Sequence, residues 1–418
     1  MLLILAICAI ALVALPIGDG TLSALSLLIL CTIPPGAVHL PQNTHPSLVG
    51  LIVAALCAHW RTRGKTLIMD RQVLLLILAT AGVLVATFVV TITSASTPYA
   101  KPQLQIVLCA LAASALLMQA DRGMARAYGK AWVLFGVVLA VLALYERSLG
   151  VYLFDGPSIF HVSTRGGIRS QLWLQQTLIL SLFLCVAICL TASVVRQRAG
   201  QILVIAVLAS GLTATASRTA IVSGCAVVLV LMLRRLSTPA LMFLVAYVVV
   251  LVGAFAPQLY ARFFNLDNAS SLSDLSTSYR LSLYPVLGRD LLHHPFGFGL
   301  GGVPRNHYLV ATAFGTKDLG ASVDNSFLVV AALFGWAGFG LIFLLVLRIL
   351  RNWRVMSTEA LAVRLVLLVN ALSFSLISFV ATVAFVGLAQ LASPSIRGSL
   401  TEGGMSRRQP SDAARSGT

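Results

Sequence analysis

Side chains that bind anions and move protons are concentrated between Ser278 and Gly338, in a chain that is otherwise apolar. This segment begins with YRLSLYPVLGRDLLHHPFGFGLGG, crosses a polar loop and closes on SVDNSFLVVAALFGWAGF. Guanidinium groups suit phosphate oxygens, and carboxylates or imidazoles accept protons from hydroxyl groups. The segment is therefore the best candidate for chemistry, and the apolar remainder of the chain is its scaffold.

Arg218 lies outside this segment, in GLTATASRTAIVSG, a short hydroxyl-rich break between two apolar runs. Two interpretations are open, because the residue can begin a helix and reach the membrane interface, or it can bind an anion. Arg280 offers a second guanidinium, which a diphosphate would need. Alternatively, Arg280 and Arg289 form the wet face of an interfacial helix that Pro285 interrupts.

Two more arginines, Arg165 and Arg169, precede an apolar run in HVSTRGGIRSQLW, and they contact either the same anion or lipid headgroups. Asp324 stands immediately before the apolar run that begins at Asn325, with His307 nearby in sequence. An aspartate there is either the N-cap of the helix or a base that takes a proton from a hydroxyl nucleophile. Spacing alone favours the cap.

The run Gly297 to Gly302 matches the pattern G-x-G-x-x-G, but no strand precedes it and no βαβ unit surrounds it. We therefore interpret it as a tight turn rather than a dinucleotide site. His293 and His294 have no metal-ligand spacing and are expected to be polar loop residues. The seven cysteines all lie inside apolar runs, where we expect them to pack, so the sequence predicts neither a metal site nor a cofactor.

The elements that must position these residues are membrane helices. Of 418 residues, 58% are hydrophobic and 10% are charged, and the mean hydropathy is +0.94. This composition predicts an all-α, polytopic integral membrane protein with about 12 transmembrane helices. The net charge of +16 is scattered between apolar runs, which argues against a nucleic-acid partner. The apolar runs are 2–15, 20–33, 47–60, 73–93, 103–119, 131–146, 174–195, 201–215, 219–233, 240–256, 325–347 and 364–392.

Basic residues between the runs assign the two sides of the membrane. They cluster in alternate loops, which we predict to be cytoplasmic: 61–71, 122–130, 196–198, 234–235 and 348–364. The intervening loops, 94–102, 147–173, the break at Ser217 and 257–324, are then extracytoplasmic. A cytoplasmic tail requires 364–392 to be a helical hairpin broken near Ser373 to Ser378. The predicted regions are transmembrane helices in 1–256, one large extracytoplasmic loop in 257–324, further transmembrane helices in 325–392 and a disordered tail in 393–418.

Three motifs, in this order and on this topology, resemble the O-antigen ligase and polysaccharide polymerase family of membrane glycosyltransferases. They are TASRTA around Arg218, the YRLSLYPVLGRDLLHHPFGFGLGG element, and DNSFLVVAALFGWAGFGLIF. The resemblance extends from about Pro41 to Gln390. It implies a GT-C-like helical fold in the cytoplasmic membrane and a metal-independent, inverting transfer.

The resemblance also implies the substrates. The donor is an undecaprenyl-diphosphate-linked oligosaccharide, the acceptor is a glycan hydroxyl, and a glycan flippase and a chain-length regulator are candidate partners. Arg218 and Arg280 match the family's two arginines that hold the leaving diphosphate. O-antigen ligases usually have His-Asn where this chain has Asp324-Asn325, so Asp324 is the candidate base and the chain is more similar to the polymerase-type members.

Three functions remain open on the sequence. The first is a polymerase in which Arg218, Arg280 and Asp324 are catalytic. In that function Arg165, Arg169, Arg289, Asn325 and His307 bind substrate. The second is a ligase that attaches finished glycan to a lipid or protein. The third is a transporter or flippase of a lipid-linked anion, but acidic residues within the apolar runs are confined to helix ends, at Asp19 and Glu146, which favours an enzyme.

Overall fold

A computed structural model of the chain is helical almost throughout the residues that it describes. Those residues are 20–33, 45–61, 85, 87–91, 100–119, 122–154, 168–174, 176–233, 286–301, 309–312, 315–318, 325–353, 356–373 and 380–393. The ten principal helices in these ranges are α1 (Thr21–Thr32), α2 (Pro46–Arg61), α3 (Ala100–Met118), α4 (Arg122–Leu149), α5 (Thr177–Val194), α6 (Arg198–Ala214), α7 (Arg218–Leu233), α8 (Ser326–Asn352), α9 (Thr358–Ser373) and α10 (Val380–Ala392).

The composition of these helices is that of a membrane protein. By length and apolar composition, three helices in the described ranges can cross a membrane: Gly123–Leu149, Thr177–Val194 and Ser326–Asn352. Shorter apolar helices accompany them. The total of about 12 spans therefore stays a prediction. So does the hairpin predicted in 364–392: α9 ends at Ser373 and α10 begins at Val380, but the break expected near Ser373 to Ser378 lies almost entirely outside the described residues.

Aromatic side chains fill the centre of the bundle, where α4, α5 and α10 meet. The ring of Trp132 stacks on that of Phe183 with centroids 4.5 Å apart, and Phe385 packs edge-on against both. The indole N–H of Trp132 donates to the Phe183 carbonyl oxygen (3.1 Å), so the one polar atom of this cluster is satisfied. The interlocking rings of this cluster therefore hold α4, α5 and α10 against one another.

Small residues allow the backbones of α4 and α6 to approach closely. A Cβ added to Gly211 would lie 2.5 Å from the Cβ and 2.6 Å from the Cα of Ala140. Small residues at such contacts are typical of helix pairs in membranes, where close van der Waals packing replaces the hydrophobic effect. This contact holds the end of α6 against the last turns of α4.

Helix α8 is broken at Gly335, which has φ 61° and ψ −145°. Residues 295–298, from the predicted glycine turn, lie against this break. The turn has the expected backbone, because Gly297 and Gly299 both have φ above 70°. The Phe298 N–H donates to the Ala332 carbonyl (2.7 Å), and the Trp336 N–H donates to the Pro295 carbonyl (2.9 Å). We call this contact, between residues 295–298 and 332–336, the Gly335 joint.

The same loop is tied to a third segment, because the Leu300 N–H donates to the Thr91 hydroxyl oxygen (2.7 Å), and that hydroxyl donates to the Thr87 carbonyl (2.7 Å). The tight-turn interpretation of the glycine run is therefore confirmed. A short antiparallel hairpin, β1 (Leu309–Thr312) and β2 (Gly315–Asp318), lies in the stretch expected to be a polar loop, and the described residues are otherwise helical as predicted.

Candidate functional site

The candidate site lies at one end of the bundle, where α4 and α6 end and α7 begins. The guanidinium of Arg147 donates to the carbonyls of Thr213 (2.7 Å) and Ala214 (3.3 Å), so it satisfies the last turn of α6. A cation is favourable there because the carbonyl end of a helix carries partial negative charge. We call this the outer end, after the topology predicted from the basic residues.

Arg218 is the first residue of α7. It follows a tight turn in which Ala216 has a left-handed φ of 47°, which is uncommon for a residue with a Cβ. The hydroxyl of Ser217 accepts from the Ala220 N–H (3.4 Å) and from the Ser181 hydroxyl of α5 (3.3 Å). Ser217 therefore links the turn before Arg218 both to the first turn of α7 and to α5.

A buried carboxylate organises the loop beside this turn. Glu146, in the last turn of α4, has no exposed surface. Its carboxylate accepts hydrogen bonds from the Ser170 hydroxyl (2.5 Å) and from the backbone N–H groups of Leu153 (3.1 Å), Gln171 (3.0 Å) and Leu172 (3.1 Å). We call this arrangement the Glu146 joint. It joins Leu153, just after α4, to residues 170–172, which precede α5.

The joint also reaches Arg169 and α6. The Ser170 N–H donates to the Ala214 carbonyl (3.1 Å), which is the carbonyl that Arg147 also contacts. Tyr152 lies beside Glu146 and makes a hydrogen bond with the backbone of Arg169. Partial burial and the nearby Glu146 carboxylate raise the pKa of the Tyr152 hydroxyl, so the phenol is protonated at neutral pH.

Asn325 is the N-cap of α8, and this corrects the expectation that Asp324 is the cap. The Asn325 side-chain oxygen accepts from the N–H groups of Phe327 (2.8 Å) and Leu328 (3.3 Å). Its amide donates to the Leu372 carbonyl near the end of α9 (3.0 Å). Asparagine and aspartate cap equally well, but only the amide has a donor for that carbonyl.

Helix α9 connects the starts of α7 and α8. Besides the Asn325–Leu372 contact, the buried Asn370 amide donates to the hydroxyl of Ser223, in the second turn of α7 (3.0 Å). Both contacts involve the last turn of α9. The beginnings of α7 and α8 therefore flank the same end of α9, and both helices direct their N–H ends, which favour anions, toward the outer end.

Residues 286–293 form a short helix that leads into the Gly335 joint. Arg289 is exposed on it, and the His293 ring contacts the Arg289 carbonyl oxygen (3.1 Å). His293 and His294 are both exposed. No group of three or more His, Cys, Asp or Glu residues within the described ranges is arranged to hold a metal ion.

The predicted site residues fall into two groups. Arg169, Arg218, Arg289 and Asn325 lie within the described residues, and Arg165, Arg280, His307 and Asp324 lie outside them. Sequence reasoning missed the role of Glu146. The available signal was a carboxylate at the end of an apolar run, followed by a loop rich in serine and glycine.

The family model described as O-antigen ligase matches residues 201–343, about a third of the chain. The matched segment runs from α6 through the Gly335 joint and contains Arg218, Arg280 and Asp324. A search of curated proteins gave no match. The match agrees with the resemblance seen in the sequence motifs: the chain is a membrane protein whose residues 201–343 are similar to the O-antigen ligase family.

Proposed function

We propose that the chain is a polysaccharide polymerase of the cytoplasmic membrane. It transfers an undecaprenyl-diphosphate-linked oligosaccharide to a sugar hydroxyl on the outer face, and the product is an exopolysaccharide or an O-antigen-type polymer. The observation that supports this best is that the starts of α7 and α8 flank one end of α9. Arg218 begins the first of these helices, and Asp324 directly precedes the N-cap of the second.

The proposed reaction is a single displacement. The acceptor hydroxyl oxygen attacks the anomeric carbon, the bond from that carbon to the diphosphate oxygen breaks, and undecaprenyl diphosphate leaves with the electron pair. Asp324 takes the hydroxyl proton. Arg218 and Arg280 neutralise the charge that develops on the leaving diphosphate, so no metal is required, and one displacement inverts the anomeric configuration.

Four of the remaining predicted residues contact the donor, and the fifth, Asn325, has a structural role. Arg165, Arg169 and Arg289 contribute positive charge around the diphosphate and its membrane lipid surroundings, and His307 contacts the glycan. Because both side-chain ends of Asn325 bond to the protein, its contribution is to fix the start of α8 beside the reacting groups. A glycan flippase that supplies the donor and a chain-length regulator are the proposed partners.

A ligase is the second candidate, because the matching family model is described as O-antigen ligase. A ligase attaches a finished glycan once, whereas a polymerase adds repeat units to a growing chain. Asp324 in place of the histidine usual in ligases favours the polymerase. Purified protein in nanodiscs, given a lipid-linked oligosaccharide and no other acceptor, should form a ladder of products, and a product only with lipid A core or protein would support the ligase.

The arginine clamp is tested by substitution. Arg218→Ala and Arg280→Ala should each abolish the ladder, and Arg→Lys should not restore it, since a point charge does not replace the bidentate fork. The double alanine variant should be little worse than either single variant, because both residues act on one group in one transition state. Arg351→Ala, exposed at the other end of α8, is the matched control and should keep parental activity. A normal ladder from both single variants would contradict the clamp.

Two further measurements test metal independence and the membrane topology. A strong chelator should leave the ladder unchanged, and loss of activity restored by a divalent ion would overturn metal independence. Ser271→Cys, in a background without native cysteines, should react with an impermeant reagent in intact cells. Reaction only after the membrane is opened would contradict an outward-facing loop.

A further inference from the structure

We propose that Glu146 is a positioning residue for the donor site: it holds the 150–172 loop so that Arg169 is presented to the lipid diphosphate beside the turn that carries Arg218. The inference rests on the proposed function, because it gives Arg169 a role in donor binding. It goes further by assigning a purpose to a buried carboxylate that makes no contribution to the proposed displacement.

Burying the Glu146 carboxylate costs free energy. A charge with no exposed surface is expensive unless its lone pairs are fully used, and Glu146 accepts four hydrogen bonds. All four donors belong to the 150–172 loop. The carboxylate is therefore committed to these four donors.

The backbone around Arg169 is held by several hydrogen bonds. Its neighbour Ser170 is held from two sides, by Glu146 through the hydroxyl and by the Ala214 carbonyl through the N–H. The backbone of Arg169 itself bonds to Tyr152. Leu172 has a left-handed φ of 51°, which is uncommon for a residue with a Cβ, and its N–H donates to Glu146.

Glu146 and Arg147, which are neighbours in α4, anchor both arginine-bearing segments. Glu146 fixes the loop of Arg169, and its neighbour Arg147 fixes the end of α6, from which the Arg218 turn follows. One turn of α4 therefore sets the spacing between the two arginine-bearing segments. A diphosphate is held by several donors together, and a displacement of about 1 Å of one catalytic or binding group can cost about 100-fold in rate.

Glu146→Gln is the sharpest variant because it keeps the size of the side chain. One amide oxygen can face the donors at the end of the loop, but the amide N–H₂ then faces the Leu153 N–H, and the loop loses its closure. We expect kcat/KM for the lipid-linked oligosaccharide to fall about 10- to 100-fold at equal amounts of folded protein. Binding of undecaprenyl diphosphate should weaken in parallel. Ser148→Ala, with an exposed hydroxyl in the same turn, is the control and should match the parent.

The decisive measurement is the coupling to Arg169. If Glu146 acts through Arg169, Glu146→Gln should cost much less in an Arg169→Ala background than in the parent. Equal losses of kcat/KM in both backgrounds would overturn the inference, because a general loss of structure does not depend on Arg169. Should Glu146→Gln not fold, Ser170→Ala removes a single donor and must show the same coupling with a smaller loss.

The outcomes separate this inference from the proposed function. Full activity of Arg218→Ala and Arg169→Ala would end the proposed donor site, and the positioning role with it. Inactive Arg218→Ala and impaired Arg169→Ala together with a fully active Glu146→Gln would overturn the positioning role alone.

Discussion

The Glu146 joint and the Gly335 joint solve the same problem with different chemistry. Each holds an irregular segment against the end or the middle of an apolar helix, where unpaired backbone groups are costly. The Glu146 joint uses one side chain that accepts from three backbone N–H groups and one hydroxyl. The Gly335 joint uses backbone alone, with donors and acceptors exchanged between α8 and residues 295–298.

The difference predicts what each joint tolerates. A side-chain joint can be weakened in steps, because its donors can be removed singly. A backbone joint depends on glycine, since a Cβ at Gly335 would overlap the Pro295 carbonyl oxygen. We therefore expect substitutions at the Gly335 joint to act as nearly all-or-none and substitutions around Glu146 to be graded.

Gly335→Ala should break the backbone joint and give the largest effect. The new Cβ overlaps residues 295–297, and alanine does not favour φ 61° with ψ −145°. Strain and overpacking together should lower the free energy of unfolding by about 3–5 kcal/mol. Chemical denaturation in mixed micelles measures this change.

Gly340 provides the matched control for that variant. It lies in the same helix, and a Cβ there would meet nothing within 4 Å. Gly340→Ala should be neutral or stabilise by up to about 1 kcal/mol, from helix propensity. Equal effects of the two substitutions would show that the break at Gly335 is not required.

Thr91→Val tests the third contact of the glycine loop. Valine keeps the shape of threonine but leaves the buried Leu300 N–H without its acceptor, so we expect a loss of about 1–3 kcal/mol. Ser114→Ala removes an exposed hydroxyl that bonds only to its own helix and should change stability by less than about 0.5 kcal/mol. A loss no larger than that of the control would remove Thr91 from the joint.

Ser170→Ala tests whether the side-chain joint is graded. It removes one of four donors to Glu146 and leaves the three backbone N–H groups in place, so we expect a loss of about 1.5 kcal/mol. Denaturation under the same conditions measures it. A loss as large as that of Gly335→Ala would show that the two joints do not differ in tolerance.

His45 adds a pH-dependent contact to this comparison, because its imidazole takes up a proton as the pH falls. Its Nδ1 accepts from the Ser47 N–H (3.2 Å), and burial lowers its pKa from 6.5 to about 4. Between these values the unfolded chain binds more protons than the native protein, so stability should fall as pH is lowered from about 6.5 toward 4, by about 1–3 kcal/mol. His45→Gln should remove this part of the pH dependence, and an unchanged slope would contradict it.

Much of the helical framework could be predicted, because the apolar runs and basic loops directly reflect the cost of exposing charge or backbone to lipid. The runs at 201–215 and 219–233 correspond closely to α6 and α7. The glycine turn was also predictable, since runs of glycine favour left-handed φ.

The joints could not be predicted, because they depend on contacts between segments far apart in the chain. In FGWAGF, nothing distinguishes Gly335 from an ordinary glycine in a membrane helix until residues 295–298 are placed beside it. Asn325 and Asp324 are equally good caps by propensity, and the Leu372 carbonyl selects the amide. The strands β1 and β2 have only four residues each, LVAT and GTKD, and neither alternates between apolar and polar residues, so the sequence gives no strand signal here.

The break in α8 has a consequence for the order in which the protein is made. Residues 295–298 leave the ribosome before α8, yet they can complete its hydrogen bonds only after both have reached the membrane. As it enters the bilayer, Ser326–Asn352 is a single apolar segment of 27 residues whose groups pair best in a continuous helix. We therefore expect the break at Gly335 to form after insertion, when residues 295–298 dock against α8, rather than before the segment enters the bilayer.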